Sequence, residues 1–290
     1  MTSHDLLTGH VALTDWGLIR ARGEDSRSFL HGQLTQDMLT LAPGETRLAG
    51  YCSAKGRLLA SFVVWLDGDD VLLACSADLL PATLKRLSMF VLRAKCKLSD
   101  ATAELPLHGL VGDAVAATAV QRPIARLPDA LGLPRALCVG EPPAGSALDG
   151  ELWRWLEVHS GVARIVGATA EHFVPQMVNL ELVGGVNFQK GCYPGQEIVA
   201  RSQYRGTLKR RAYVVSGDSP LQPGQEIFSP AEPEQPVGEV VLAAAPAGRT
   251  PAALVELKIA AAPGPLHAGS ATGPALRLGA LPYNFPAEAA

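Results

Sequence analysis

The chain is poor in charge. Asp, Glu, Lys and Arg make up 18% of its 290 residues, against the ~25% usual for a soluble domain. Neither sign dominates: 25 basic and 28 acidic residues leave a formal net charge of −3, which argues against a globally basic nucleic-acid binder. Long apolar runs are missing as well. The longest stretch without Asp, Glu, Lys or Arg, Ile259–Leu276, is interrupted by Pro263, Gly264, Pro265, Gly269, Gly273 and Pro274, so it does not form a membrane helix. Met1–Leu7 has neither the basic nor the apolar region of a secretory signal, and a cytoplasmic protein with no membrane partner is expected. Cysteine is sparse and scattered. Cys52, Cys75, Cys96, Cys138 and Cys192 are odd in number and contain no Cys-x-x-Cys. That spacing excludes a clustered zinc or iron–sulfur site and makes a disulfide framework unexpected.

What is present is a good core and many turns. Apolar residues reach 48%, with 29 glycines and 22 prolines, well above the ~12% typical for Gly and Pro together. Disordered, coiled-coil and collagen-like chains are excluded. The length alone suggests about two compact units of ~150 residues.

Periodicity divides the chain into an α+β body followed by a strand-rich end. Val11–Ala21 reads as one strand, and a helix follows from Asp25 with Phe29, Leu30 and Leu34 inward. Arg47–Cys52, Arg57–Leu66 and Val71–Cys75 read as successive strands joined by Gly-containing turns. Leu80, Leu84, Leu87 and Val91 give the next helix an apolar face, with Ser76 as its candidate cap. A strand over Ala94–Leu98 closes this unit. Strands near Leu107–Val111 and Arg135–Val139 then flank a helix over Asp113–Val120. The helix Glu151–Ser160 carries Trp153, Trp155 and Leu156 on more than one face, so it is expected to be buried on more than one side. After Gly206, short strands over Arg211–Ser216, Gln225–Phe228, Val237–Ala243 and Ala252–Ile259 suggest a small antiparallel barrel. Cys52, Cys75, Cys96 and Cys138 fall in strand-like runs and read as small buried hydrophobes.

The most informative segment is Phe188–Arg201, containing Lys190-Gly191-Cys192-Tyr193-Pro194-Gly195-Gln196-Glu197. Pro194 suits the first position of a helix. Gln196 and Glu197 then fall in its first turn, where a carboxylate complements the dipole. Cys192 would stand just ahead of that start with Lys190 nearby, a setting that favours the thiolate. A structural thiol is the alternative. Arg201, Arg205, Lys209, Arg210 and Arg211 follow with no acid among them. They read either as a solvated face or as an anion site.

The stretch Lys190–Glu197 resembles the K-G-C-Y-x-G-Q-E signature of the YgfZ family of folate-binding proteins. The resemblance extends to Leu13–Ile19, Gly23–Asp37, Ala54–Arg57, Phe173–Leu180, Tyr204–Arg210 and Leu281–Tyr283, and is weakest over 104–147 and 215–275. It implies a three-domain α+β fold like the T-protein of the glycine cleavage system, a tetrahydrofolate-dependent aminomethyltransferase. The domains would span 1–103, 104–205 (with the signature) and 206–290 (an antiparallel β-barrel), around a central folate pocket. It also implies a role in assembling or maintaining iron–sulfur enzymes and, through one of them, in tRNA modification. Iron–sulfur enzymes or their assembly factors are then the expected partners, and direct tRNA binding is not expected.

Carried over residue by residue, Trp16 and Trp153 match the tryptophans expected to contact folate, whose flat rings suit aromatic faces. Taken alone, either reads as core. Glu197 fits a partner for pterin N–H donors, and by itself reads as a helix-start acid. Arg201 and Arg205 are expected near the anionic glutamate tail of the folate. Cys192 is the expected reactive thiol, within a motif that also comprises Lys190, Gly191, Tyr193, Gly195 and Gln196. One departure bears on activity. The aminomethyltransferases carry a catalytic Asp near the positions of Leu58–Ser61, where this chain has no acid. A folate-dependent one-carbon transferase is therefore the second reading, behind an accessory protein that is not an enzyme in the usual sense.

Overall fold

The computed structural model describes residues 7–204 and 208–286. The first half opens with β1 (Gly9–Ala12), β2 (Trp16–Arg22) and the short helix α1 (Ser26–His31). Then come β3 (Thr46–Cys52), β4 (Leu58–Asp67), β5 (Asp70–Ser76), α2 (Leu80–Ser88) and β6 (Lys97–Asp100). β2 to β6 form a five-stranded antiparallel sheet in the order β3-β4-β5-β2-β6. The next elements are β7 (Leu107–Val111), α3 (Asp113–Ala119), β8 (Ala125–Ala130), β9 (Leu133–Val139) and α4 (Gly150–His159). A second antiparallel sheet runs β1-β7-β9-β8.

The segment Val11–Ala21, which reads as one strand, is two. Trp16 N–H turns back to the Leu13 carbonyl at 3.4 Å, β1 pairs with β7, and β2 pairs with β5 and β6. The chain start thus stitches the two sheets together. Alternation of apolar residues cannot show this, because both halves are buried. The cap of α2 also differs: Leu79 takes the position and no side chain caps it. Cys96 precedes β6 rather than lying in a strand, and is only half-buried.

After α5 (Gln196–Tyr204) come β10 (Arg210–Gly217), β11 (Glu226–Phe228), β12 (Gly238–Ala244), β13 (Ala252–Lys258), β14 (Leu266–Ala268) and β15 (Ala275–Leu278). They close into an antiparallel barrel, β10-β13-β12-β11-β14-β15, as the Pro/Gly-spaced strands suggest. The barrel has its own core around Val215, Val240, Val255 and Leu257. The larger core joins both sheets, α4 and the inner strands of the barrel.

α4 is the axle of the assembly. Trp153, Trp155, Leu156, Glu157 and Val158 are all buried, so the helix is covered on several sides, as the tryptophan spacing indicates. Trp155 Nε1 donates to Thr250 O of the barrel at 3.1 Å. The helix is capped at its start by Asp149, which accepts from Glu151 N–H. Beyond its end, Gly161 adopts a positive φ of 66°, and Tyr283 from the chain's tail donates to its carbonyl at 2.7 Å.

Trp153 lies flat against β7. An ideal Cβ on Gly109 would stand 2.7 Å from the Trp153 ring, so that glycine is what lets helix and sheet approach. Gly109→Ala is therefore expected to destabilise the protein by about 1–3 kcal/mol through overpacking, measured as a lower urea midpoint with an unchanged m-value.

Candidate functional site

Two constellations carry chemistry: a cavity between the sheets and the loop before α5. The cavity is narrow, with a volume of about 30 Å³. Trp16 at the head of β2, Ser61 and Phe62 of β4, Arg135 of β9, Glu157 of α4 and Arg164 beyond it line its wall. Each sits there for a local reason. Ser61 Oγ accepts from Ile165 N–H at 2.9 Å, pinning the segment after α4 to the sheet. Arg164 bonds both oxygens of Glu157 at 3.0 and 3.1 Å, Asp15 Oδ2 at 2.8 Å and Ser76 Oγ at 3.2 Å. Its guanidinium also lies 4.8 Å over the Trp16 ring.

The electrostatics follow from burial. Desolvation opposes the charge on Arg164, but Glu157 and Asp15 more than offset it and raise its pKa above the usual arginine value. Burial pushes the Asp15 carboxyl up, yet Arg164 and Arg154 outweigh it and hold the group below its ordinary value. Arg135 has no such partner. Its Nη1 is buried without a hydrogen bond, and burial brings its pKa down to about 10. Trp16 Nε1 and Trp153 Nε1 are likewise buried and unsatisfied. Buried polar groups of this kind cost free energy unless something bonds to them.

Trp16 therefore stands in the cavity wall. Trp153 does not: it lies one layer behind, with the Arg135 guanidinium 5.1 Å over its ring. Glu197 is exposed in the first turn of α5, outside the cavity lining, and Arg201 is exposed one turn further on. Arg205 lies outside the described residues. The cationic run is not one surface. Arg210 pairs with buried Glu256, and Arg211 is itself buried against Glu181, so both serve as struts of the barrel. The residues that sequence reasoning passed over are Glu157, Arg164 and Arg135. Their only signal is charge placed inside apolar periodicity, at α4 and β9.

The loop 188–195 is built from below. Lys190 Nζ donates to the carbonyls of His31 and Leu34, the latter at 2.8 Å, and lies 4.8 Å over the Tyr193 ring. Gly195 has a φ of 78°, and an ideal Cβ there would stand 2.4 Å from Ser53 O and 2.7 Å from Gly56 Cα. Only glycine fits against the Ala54-Lys55-Gly56 turn. This break also displaces the helix start: α5 begins at Gln196, not at Pro194. Gln196 Nε2 reaches back to Gly191 O at 3.5 Å. Cys192 is exposed, whereas Cys52, Cys75 and Cys138 are buried. Burial pushes the Cys52 and Cys75 thiols up to about 12 and Cys138 to about 11. No group of three or more His, Cys, Asp or Glu residues that could hold a metal occurs among the described residues. Among them, no helix is long and apolar enough to cross a membrane.

This architecture is that of the aminomethyltransferase T fold. The glycine cleavage system aminomethyltransferase T of Bartonella henselae superposes with a TM-score of 0.67 over 95% of this chain and 86% of that one, at 16% identity. No protein-family model matches the chain. Curated relatives do. It is 32% identical to the tRNA-modifying protein YgfZ of Edwardsiella ictaluri, covering 73% of this chain and 72% of the relative. It is 31% identical to the YgfZ of Photorhabdus laumondii, covering 72% and 71%, and 29% identical to that of Sodalis glossinidius, covering 73% of both chains. The chain belongs to the YgfZ family of tRNA-modifying proteins.

Burial brings the Lys190 amine down to about 8, against the opposing pull of Asp37 and Cys192. The neutral amine still has two N–H groups for its two carbonyl partners. Folding therefore binds fewer protons at this site than the unfolded chain does. Stability should rise with pH from about 8 toward the ordinary lysine value of ~10.4. Lys190→Met should remove that rise, as read from urea midpoints across the range.

Proposed function

We propose that this protein is a cytoplasmic, folate-binding accessory factor. It supports the assembly or repair of iron–sulfur enzymes and thereby tRNA modification, with Cys192 as its reactive thiol. The observation that carries the folate reading is the cavity wall. Its buried, unsatisfied donors Trp16 Nε1 and Arg135 Nη1 stand beside the Glu157 carboxylate and the flat Trp16 and Phe62 rings. A planar heterocycle with ring N–H donors and a carbonyl acceptor matches that set. Tetrahydrofolate carries those groups, and the wall must open to admit it: Trp16 would hold the ring system, Glu157 would accept from its N–H groups, and Arg135 would donate to its carbonyl. Glu157 takes the part first assigned to Glu197, because its carboxylate lines the cavity and that of Glu197 does not. Trp153 supports the site through Arg135. Bound folate supplies a carrier nitrogen pair for one-carbon units. The chain's own residues bind and orient it and exclude water.

The aminomethyltransferase fold keeps one-carbon transfer as the second reading. Against it, the strand that would carry an acid/base presents Ser61 to the cavity, and its hydroxyl is already committed to Ile165 N–H. What favours a thiol role is contrast. Cys192 is solvent-exposed on a loop held by Lys190, while burial keeps Cys52, Cys75 and Cys138 protonated.

Two variants separate the parts. Trp16→Ala should weaken tetrahydrofolate binding by about tenfold or more in a fluorescence titration, with Trp153 and Trp155 as remaining reporters. Cys192→Ala should bind folate as the wild type does, yet fail to restore iron–sulfur enzyme activity in a knockout strain. Wild-type protein that does not bind folate at millimolar concentration would end the folate reading. Full complementation by Cys192→Ala would end the thiol reading.

A further inference from the structure

Away from the cavity, the C-terminal half of α2 borders a cleft of about 380 Å³. Tyr51, Leu59, Leu79 and Met89 give it an apolar lining, with Lys85 and Arg86 among the groups around it. A second cleft of about 590 Å³ is lined by the Ser53–Arg57 turn, and Arg86 and Glu171 line both. The two form one groove, apolar at one end and cationic at the other. Lys55, Arg57, Lys85 and Arg86 face a single acid, Glu171. Among the described residues, none of these four cations takes part in an ion pair. Glu171 itself is held at a φ of 65°, a conformation that few non-glycine residues adopt.

The apolar end does not stop at the cleft. Met89, Phe90 and Leu92, within four residues of one another, are 59%, 45% and 87% exposed. Isolated surface apolar residues are ordinary, but a contiguous group beside an apolar cleft marks an interaction surface. The cationic end abuts the signature. An ideal Cβ on Gly56 would stand 2.8 Å from Ile198 Cβ of α5, and Gly195 packs on Gly56.

We propose that this groove docks an acidic peptide segment of a partner protein, anchored by an apolar side chain between Leu59, Leu79 and Met89. Its carboxylates lie along Arg86, Arg57 and Lys55 and bring the partner beside the loop that carries Cys192. The charge selects the sign of the partner. The apolar surface running past the cleft over Phe90 and Leu92 favours a polypeptide over a small ligand. The inference rests on the proposed function only in taking the docked protein to be the client of Cys192; the docking itself stands separately.

The test pans random displayed peptides of about 12 residues against the full-length protein. Recovered sequences should combine a Leu, Ile, Phe or Trp with two or more acids. Synthetic copies should bind the wild type and lose about tenfold in affinity on Arg86→Glu and on Met89→Asp. Urea midpoints of the same variants should match the wild type, which shows that they fold whether or not the folate reading holds. Recovery of no acidic, apolar-anchored consensus, or wild-type affinity retained by both variants, overturns the proposal. So does binding of a short single-stranded RNA that Arg86→Glu abolishes while no peptide is recovered, since that assigns the groove to nucleic acid.

Discussion

The structure turns on one buried guanidinium. Arg164 is 5% exposed and is held by Glu157 of α4, Asp15 at the turn before β2 and Ser76 at the end of β5. Removing an arginine from water is costly unless its donors are matched. Matching them ties the helix to the five-stranded sheet at this point. Asp15 sits between the strand that enters the second sheet and the strand that enters the first. The same ion cluster therefore also holds the junction between the two sheets. A hydrophobic contact at this point would allow sliding; a guanidinium bonded on three sides does not.

The cavity is a consequence. Around Arg164 the side chains of β2, β4, β9 and α4 leave a small gap, and Trp16 Nε1 and Arg135 Nη1 keep donors without partners beside it. Arg135 is otherwise held by the Pro128 carbonyl at 3.3 Å and by the Trp153 ring. A core selected for stability alone would fill that space with aliphatic groups. The barrel is fixed by an analogous device. Arg211, buried against Glu181, joins β10 to the segment before the signature, and Asn179 Nδ2 donates to Ala212 O at 2.8 Å.

Much of this was legible in the residues, and the failures share one cause. The strands β3, β4 and β5, the helix α4 and the barrel strands β10 to β13 announce themselves by periodicity and by Gly/Pro turns, whereas the short β14 and β15 do not. Partnership is what periodicity cannot report. Val11–Ala21 is largely apolar on both sides of Thr14-Asp15, and that short polar break does not say that the two halves enter different sheets. Arg210 and Arg211 look like part of a cationic face until β10 pairs with β13 and brings Glu256 to Arg210. Glu157 looks like a surface acid of an amphipathic helix until Arg164 folds back onto it seven residues later. Glu197, the last residue of the signature, is exposed on α5, whereas Glu157, 40 positions earlier, lines the cavity. The signature, by contrast, was readable through its family resemblance, and one of its glycines, Gly195, is forced by the close approach of the Ser53–Gly56 backbone.

That close approach also explains how a thiol can be exposed and still be placed. Surface loops are ordinarily the mobile part of a fold. Here the Lys190 ammonium end is spent on two carbonyls beneath the loop, Tyr193 is buried under it, and Gly195 is locked against Gly56. Thr35 extends the support inward. Its hydroxyl accepts from Gly50 N–H of β3 at 2.7 Å and donates to Gly185 O at 2.6 Å, while its carbonyl accepts from Asn187 N–H at 2.9 Å. The loop is thus an extension of the five-stranded sheet. The sheet buries Cys52 in β3 and Cys75 in β5, while the loop it supports presents Cys192 to solvent. A thiol meant only for packing needs none of that scaffolding; one that meets a partner from outside needs all of it.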